Sequence, residues 1–405
     1  MLVINEDLLG PEATADPYTY YGRLREEDPI HWNPLYETWV LTRYADVVWV
    51  LRHPELFSSE IFLRDPHPPV PPILETDQAL YAFNKHYLSH WFLRRDAPDH
   101  LRMRRVVHAH FNPKYIAGRF RTLVQEVIQA LLDEVEDRGR MEVLQDFAAP
   151  LPVLVIAQWL GLPQQDRAFI RQLSRQLLAL DQENPDRNQA VHTAITTLVD
   201  YITPLVEERL TSPRDDLLSV LAAGEQHGNL SRDEVLGNTL LLLVAGHQTT
   251  INLIGNGILA LLRHPDHWGQ LHRDATRIPR ATEEILRYDA PVKRAPRIAA
   301  TDVALHGQTI RQGERVLLIL SAANRDPRQF ADPDTFDITR DPNPHVAFGG
   351  GIHHCLGANL ARLEGQEAFR ALTQRFTPFR VAPEPLEYQT LLSLRALKAL
   401  WVSWP

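Results

Sequence analysis

Apolar residues recur every three or four positions through much of this chain, the spacing that places them on one face of an α-helix. One such stretch lies between Phe120 and Gly139, and its apolar positions are Leu123, Val124, Val127, Ile128, Leu131, Leu132 and Val135. The glycine that follows is a usual helix stop. The pattern therefore predicts a mainly helical protein in which this stripe packs into the core.

A second, longer helix is predicted from Ser231 to about Leu262. Ser231 and Glu234 have the spacing of a capping box, and apolar residues then continue around most of the helix, as in a buried central helix. Thirty residues of helix span about 45 Å. The middle of this segment, Ala-Gly-His-Gln-Thr-Thr at 245–250, interrupts the apolar pattern with glycine and polar side chains. We predict a local distortion there, which marks either a functional site or a kink in a core helix.

The glycine and threonine residues of that segment give the distortion a physical basis. Glycine costs about 1 kcal/mol relative to alanine inside a helix. A threonine hydroxyl can donate to the carbonyl four residues back and bend the helix.

Strand patterns are few and predict small antiparallel sheets at the periphery. They cover Ile30 to Trp32, Thr38 to Leu41, Val303 to Leu305, Thr309 to Ile310 and Val316 to Leu320. The stretch from Ile61 to Phe92 is rich in proline and aromatic residues without clean periodicity, which predicts a long irregular loop. No repeat or flexible linker divides the chain, so we expect one domain over residues 1–405.

Composition and charge narrow the class of protein. The chain has 405 residues, 44% of them hydrophobic, and a net charge of −9, which argues against nucleic-acid binding. The longest apolar run, at 240–245, is far shorter than the ~18 residues of a membrane span, and the N-terminus lacks a signal-peptide pattern. With Cys355 as its one cysteine, the chain can form neither an intramolecular disulfide nor an iron–sulfur cluster. We expect a soluble, cytoplasmic protein without a membrane partner.

The richest chemistry lies in the segment Phe-Gly-Gly-Gly-Ile-His-His-Cys-Leu-Gly-Ala-Asn-Leu-Ala-Arg at 348–362. Consecutive glycines let the backbone turn tightly and approach a flat ligand. A helical pattern begins at Leu356, and a helix N-terminus favours a thiolate at Cys355. Such a thiolate suits an enzyme nucleophile, a redox sensor or a ligand to heme iron. A buried structural cysteine is the alternative without function.

The spacing F-x-x-G-x-H-x-C-x-G-x-x-L-A-R resembles the heme-binding signature of the cytochrome P450 family, the heme-thiolate monooxygenases. The resemblance implies the mainly helical P450 fold and heme b with the Cys355 thiolate as its axial ligand. It also assigns four further positions to the heme-binding loop, namely Phe348, Gly349, His353 and Gly357.

Other segments resemble further motifs of that family. Alone each is weak, because an E-x-x-R pattern on a helix is often a solvated ion pair and H-x-x-x-R is often an exposed face. Their order relative to Cys355 gives them weight. By this resemblance the residues that bind the heme propionates are His100, Arg104, Arg297 and His353, and the structural ion-pair residues are Glu284, Arg287 and Arg340.

The polar segment of the central helix resembles the family's oxygen-binding motif A-G-x-[D/E]-T-T. The resemblance implies that Ala245 leaves room for O2 and that Thr249 is catalytic, with Gln248 beside it. Gln248 departs from the motif because an amide cannot ionise and deliver a proton as a carboxylate does. We expect water to relay protons through Thr249. The alternatives are that His247 substitutes or that slow proton delivery releases peroxide.

By position, the expected substrate pocket is mostly apolar and favours a lipophilic small molecule. Its predicted lining is Leu241, Val244, Ala245, Val292 and Leu394. Lys293 and Arg294 lie nearby; we expect them to face solvent, and the alternative is that they meet a carboxylate of the substrate.

No flavin or iron–sulfur domain fits in the chain, so electrons must come from another protein. The resemblance implies a ferredoxin and an NAD(P)H-dependent ferredoxin reductase, which Arg102, Arg105 and Arg362 would attract as a local basic patch. The expected reaction inserts one oxygen atom of O2 into the substrate by hydroxylation or epoxidation. A peroxide-driven heme-thiolate peroxygenase and a non-catalytic heme sensor are the two rival interpretations.

Overall fold

The computed structural model describes residues 7–66, 73–177, 186–377 and 379–405, and helices dominate these ranges. The helices are α1 (Pro11–Ala15), α2 (Pro17–Glu27), α3 (Tyr44–Arg52), α4 (Ile61–Arg64), α5 (Gln78–Ser89), α6 (Asp99–His108), α7 (Pro113–Asp133), α8 (Pro150–Leu160), α9 (Arg167–Leu177), α10 (Arg187–Thr211), α11 (Leu217–Gln226), α12 (Arg232–Ala245), α13 (Gln248–Arg263), α14 (Pro265–Arg273), α15 (Ile278–Tyr288), α16 (Leu320–Ala323) and α17 (Ala358–Arg375). The prediction of a mainly helical fold is confirmed.

Short strands form three small sheets in the same ranges. The strands are β1 (Ile30–Asn33), β2 (Thr38–Leu41), β3 (Phe57–Ser58), β4 (Arg140–Glu142), β5 (Arg294–Ala299), β6 (Val303–Leu305), β7 (Gln308–Ile310), β8 (Arg315–Ile319), β9 (Arg380–Val381) and β10 (Trp401–Ser403). The largest sheet has the order β1-β2-β8-β5-β3. Its β2–β8 pair is parallel, with Val40 opposite Leu317. Sequence patterns indicate local hairpins and do not predict such a long-range parallel pair.

The capping box predicted at the start of the central helix is present. The Ser231 hydroxyl accepts from the Glu234 backbone N–H at 3.2 Å, and the Glu234 carboxylate accepts from the Ser231 N–H at 2.9 Å. Both contacts satisfy donors that the first turn of α12 would otherwise leave unpaired.

The prediction of one continuous helix from Ser231 to Leu262 is wrong at its centre. Two helices, α12 and α13, meet at Gly246 and His247. The His247 N–H donates to the Val244 carbonyl three residues back, at 3.3 Å, instead of four residues back. Beyond the break, every residue of α13 from Thr250 to Leu261 is buried. The distortion expected from the glycine and threonine residues is therefore large enough to divide the helix.

The irregular loop predicted for Ile61 to Phe92 is also wrong over half of its length, because α4 and α5 occupy that half. The sequence hides α5 because its buried residues include the polar Asn84 and Ser89 beside Leu88, which breaks the apolar periodicity. Asn84 donates its side-chain N–H to the Asn188 carbonyl of α10 at 2.9 Å, so the polar group is paired in the interior. The proline-rich positions 67–72 lie outside the described residues.

Close packing fixes α17 against the centre of the molecule. A side-chain carbon at Gly257 of α13 would lie 2.4 Å from the Phe369 ring of α17, so only glycine permits this approach. Helix α17 also packs against α15 and α7. The chain just before α17 is thus held at a fixed position relative to α13.

One helical stretch, Val143–Leu160, is long and apolar enough to cross a membrane by length and composition alone. In the structure 72% of this stretch is buried among other elements, which is typical of a core helix.

Candidate active site

The glycine-rich segment before α17 forms a tight loop that presents Cys355. The Cys355 N–H donates to the Phe348 carbonyl at 2.9 Å and closes the loop. Gly351 has φ of +62°, and a side-chain carbon there would lie 2.1 Å from the Leu51 carbonyl oxygen of α3. The loop therefore requires glycine at this position both for its backbone conformation and for its contact with α3.

Cys355 is solvent-accessible as a residue, yet the surrounding protein desolvates its sulfur. Burial raises the pKa of the Cys355 thiol, while the backbone N–H groups of Gly357 and Ala358 and the charge of Arg104 act to lower it. The predicted start of α17 at Leu356 is two residues early, but its N-terminus does face the sulfur. A bound metal cation would supply the remaining stabilisation, because a coordinating thiol loses its proton.

Two histidines stand together beside the loop. The rings of His100 and His353 lie 4.1 Å apart. The two ring nitrogens of His100 contact the carbonyls of Phe92 at 2.8 Å and Ile352 at 3.0 Å. Since a neutral imidazole has one N–H, one of these contacts lacks a hydrogen. Neither buried ring nitrogen of His353 has a hydrogen-bond partner among the described residues, and burial lowers its pKa to about 2.

Two guanidinium groups complete this cluster. Arg104 donates to the Ile352 carbonyl at 3.2 Å and to the His354 carbonyl at 2.7 Å. Arg297 on β5 donates to the Pro296 carbonyl at 2.7 Å, and burial lowers its pKa to about 10. Burial likewise lowers the pKa of Arg104. One buried and one half-buried cation, both bonded to neutral carbonyls, leave this site short of negative charge.

The residues present fit a heme. Its two propionates would supply the anions that the four-residue cluster lacks, through charge-assisted hydrogen bonds. Cys355 offers the thiolate, and a side-chain carbon at Gly357 would meet nothing within 4 Å, so space is open beside the sulfur. The structure thus brings His100, Arg104, Arg297 and His353 together around the cysteine loop.

A buried ion pair lies behind the loop. Arg287 and Glu284 of α15 form two parallel hydrogen bonds of 2.8 and 2.7 Å, and both side chains have no exposed surface. Arg340 approaches the same carboxylate at 3.3 Å. The three residues predicted as a structural set therefore meet.

This ion pair is connected to the cysteine loop through Asn324. Arg287 donates to the Asn324 carbonyl at 3.0 Å, and the Asn324 side chain accepts from the Val346 N–H at 2.7 Å. Val346 in turn accepts from the Gly349 N–H at 2.9 Å. Three hydrogen bonds thus lead from the buried guanidinium to the loop.

The break between α12 and α13 carries the predicted oxygen-binding residues. The Thr249 hydroxyl donates to the Ala245 carbonyl at 2.9 Å, as the sequence predicts. Gln248 donates its side-chain N–H to the Asn252 side chain at 3.1 Å, so its amide is held along the helix. Ala245 is exposed although the residues before it, from Leu241 to Val244, are buried, so the break opens onto a space.

Sequence reasoning missed a carboxyl group next to this break. Glu364 of α17 is 1% exposed and hydrogen-bonds the hydroxyl of Thr250. Its Oε1 atom has no hydrogen-bond partner among the described residues. Burial raises the pKa of Glu364 to about 8, so the group is a neutral acid near pH 7. A glutamate on a helix is ordinarily exposed, and nothing in the sequence signals its burial.

The pKa of Glu364 predicts a pH dependence of stability. Below its unfolded pKa of 4.5 the carboxyl is protonated in both states. Between that value and about 8 the unfolded chain loses the proton that the folded chain keeps, so the free energy of unfolding should fall as pH rises. Urea unfolding of Glu364→Gln should lose this fall. Glu55→Gln, on the surface, is the control, and an equal slope in wild-type and Glu364→Gln would contradict the assignment.

The structure separates the predicted pocket residues into two groups. Leu241 and Val244 lie in the main apolar core, whereas Val292 and Leu394 pair in an antiparallel bridge within a smaller apolar cluster. Lys293 is 4% exposed, so its expected solvent-facing position is wrong. Its backbone explains this, because the Lys293 N–H donates to the Ser393 carbonyl at 2.8 Å, which draws the residue between two segments.

The predicted basic patch is mostly neutralised. Arg102 pairs with Glu234 at 2.7 Å, and Arg362 pairs with Glu283 at 2.8 Å. Arg105 is exposed and has no ion pair within the described ranges. The sequence did not reveal that carboxylates from α12 and α15 reach the other two arginines.

Comparisons with known proteins agree with this geometry. The family model described as "Cytochrome P450" matches residues 175–399. The chain is 35% identical to the biotin biosynthesis cytochrome P450 of Bacillus subtilis (strain 168), over 100% of both chains.

Two solved structures are similar over nearly their whole length. One is P450BioI in complex with acyl carrier protein ligated to hexadec-9Z-enoic acid, at a TM-score of 0.89 and 35% identity, covering 97% of this chain and 99% of that one. The other is the myxobacterial CYP267B1 in complex with myristic acid, at 0.88 and 36%, covering 98% of each.

Proposed function

Because the chain belongs to the cytochrome P450 family, whose members are oxidoreductases that use heme with a cysteine thiolate ligand, we propose that it inserts one oxygen atom of O2 into a lipophilic small molecule. The observation that carries the proposal is the thiol of Cys355 beside Arg104 and Arg297, which form no ion pair within the described residues. We further propose that residues 1–405 form one such domain and that it acts in the cytoplasm. Relatives aligned over the full chain support the first of these two points.

The residues divide the work of binding. Cys355 ligates the iron, and its loop is fixed by Gly351 and the Phe348 carbonyl. Arg104 and Arg297, with His100 and His353, hold the propionates. When bound, the heme supplies the redox chemistry that activates O2.

Reduced-plus-carbon-monoxide difference spectroscopy tests the assignment. The wild-type protein should show the red-shifted Soret band of a thiolate-ligated heme. Cys355→His should bind heme yet lose that band and lose substrate oxidation, because imidazole does not donate electron density as thiolate does. A colourless wild-type protein, or one whose heme is held through nitrogen, would sink the proposal.

The side chains of Gln248 and Thr249, at the break between α12 and α13, are neutral, so proton delivery there cannot depend on an ionised group. The amide of Gln248 cannot ionise, and it is already bonded to Asn252. We propose that the Thr249 hydroxyl positions a water that passes protons to the reacting centre. The arrangement favours an O2-dependent enzyme over a peroxide-driven one, since a hydroxyl is present at this position.

Replacing that hydroxyl should uncouple electron transfer from product formation. Thr249→Ala should divert at least about half of the consumed NADH to hydrogen peroxide, because the proton relay is worth about 10²-fold in rate. The measurement is product and peroxide formed per NADH, with Thr239→Ala on α12 as the control, because the Thr239 hydroxyl likewise donates to the carbonyl four residues back. Turnover with hydrogen peroxide alone that matches the O2-dependent rate would favour the peroxygenase instead, and heme without any substrate-dependent NADH consumption would favour the sensor.

Apolar side chains support a lipophilic substrate. Leu241 and Val244 on α12 lie just before the exposed Ala245. Leu394 pairs with Val292 in a separate antiparallel bridge. The two similar structures that hold hexadec-9Z-enoic acid and myristic acid are consistent with a long apolar substrate for this protein as well.

We propose that electrons arrive from a ferredoxin with an NAD(P)H-dependent reductase, docked on the side of the cysteine loop. Arg105 on α6 and Arg52 at the end of α3 are exposed there and have no ion pair within the described ranges. A side-chain carbon placed on Gly351 would lie 3.7 Å from the Arg52 Cα, so Arg52 is next to the loop.

Charge reversal should weaken this docking. Arg105→Glu should raise the KM for ferredoxin about fivefold, in line with roughly 1 kcal/mol for an exposed charge, with little change in kcat. Arg311→Glu, on the turn between β7 and β8, is the matched control. The effect should shrink in high salt, and an equal loss in both variants, or a response that ignores salt, would argue against this surface.

A further inference from the structure

The propionate-binding cluster draws its residues from two separate elements. His100 and Arg104 lie on α6, whereas Arg297 lies on β5. A cluster of this kind works only if the helix and the strand keep a fixed relation to each other, because charge-assisted hydrogen bonds depend on geometry. Asp96 links the two elements within the described residues: it bonds α6 directly and also bonds β3, the strand that pairs with β5.

The backbone of Asp96 lies three residues before α6 and bonds its first turn. Its carbonyl accepts from the His100 N–H at 2.8 Å, in the first turn of the helix. This hydrogen bond therefore ties the position of His100 directly to that of Asp96.

The side chain of Asp96 reaches toward β5. Its carboxylate accepts from the Ser58 hydroxyl at 2.5 Å and from the Ser59 N–H at 2.8 Å. Ser58 lies on β3 and pairs with Ile298 of β5, the neighbour of Arg297. With two donors on its two oxygens, the 14%-exposed carboxylate has a fixed orientation, and the half-exposed Arg64 approaches it at 3.7 Å.

The charge of Asp96 acts on the same cluster. Burial lowers the pKa values of both Arg297 and His100, and in each case the charge of Asp96 opposes that shift. A buried guanidinium without a counter-charge is costly, whereas two propionates bring two negative charges to the site. A single protein carboxylate thus offsets part of the positive charge and leaves an excess for the ligand.

We propose that Asp96 is the positioning residue of the propionate-binding cluster: it holds α6 and the β3–β5 strand pair in register and partly neutralises Arg297. The role rests on the proposed function, since it presupposes a bound heme. It differs from a helix N-cap, because a capping side chain accepts from the N–H groups of its own helix, whereas the Asp96 carboxylate accepts from Ser58 and Ser59.

Heme-loaded variants separate the charge from the contacts. Asp96→Asn keeps an acceptor and removes the charge, so reduction of the iron, which adds negative charge, becomes easier. The reduced-to-oxidised ratio at a given potential should rise roughly three- to tenfold, a midpoint shift of about 30–60 mV upward at 59 mV per tenfold for one electron. Asp96→Glu should restore the wild-type potential.

Asp96→Ala removes the acceptor as well as the charge. Transfer of its heme to excess apomyoglobin should be about fivefold faster than from the wild-type protein. If that variant fails to fold, Ser58→Ala, which deletes one donor to the carboxylate, should show a smaller acceleration. Asp99→Asn is the matched control on the same turn, because Asp99 is 47% exposed and pairs with Arg102 at 2.9 Å. It should leave both readouts unchanged.

The outcomes distinguish the two levels of inference. A wild-type protein without a thiolate Soret band would overturn the proposed function. A wild-type protein with that band, whose potential is unaltered in Asp96→Asn, would overturn the role of Asp96 alone. An equal shift in Asp99→Asn would overturn it too, because any carboxylate on α6 would then serve.

Discussion

The ion pair between Glu284 and Arg287 is the interaction on which the site depends. Two charges without exposed surface are stable only with complete hydrogen bonding, and loss of one partner from such a pair costs about 3–5 kcal/mol. Arg287 also donates hydrogen bonds to backbone carbonyls, including that of Asn324. The cysteine loop has little regular structure of its own and takes its position from this buried anchor.

Electrostatics and packing act together at the other side of the loop. Of the cations that face the heme-binding region, Arg297 is buried and Arg104 is half-buried, and burial lowers the pKa of each, so an anion there would be favourable. Close contact between Gly257 and Phe369 holds α17, and with it the N–H groups that face the sulfur. The ligand is thus expected to stabilise a charge distribution that the protein leaves incomplete.

Residues that belong to sequence motifs were predictable, and residues defined by burial were not. The capping box at Ser231 and the hydroxyl bond of Thr249 follow from local chemistry, which a sequence displays directly. The helix α5 was hidden because its interior face is partly polar. The burial of Lys293 and Glu364 depends on distant segments that pack over them, and a charged residue in a sequence carries no mark of that packing.

The break at Gly246 also determines which hydrogen-bonding groups the site offers to a molecule in the open space. A hydroxyl has one hydrogen, and that of Thr249 is already given to the Ala245 carbonyl. The lone pairs of the Thr249 oxygen remain available on the open side. A molecule bound there, such as water, must therefore be the hydrogen-bond donor. In this arrangement the Thr249 hydroxyl can accept a hydrogen bond from the open side but cannot donate one there. It can become a donor only after its bond to the Ala245 carbonyl breaks.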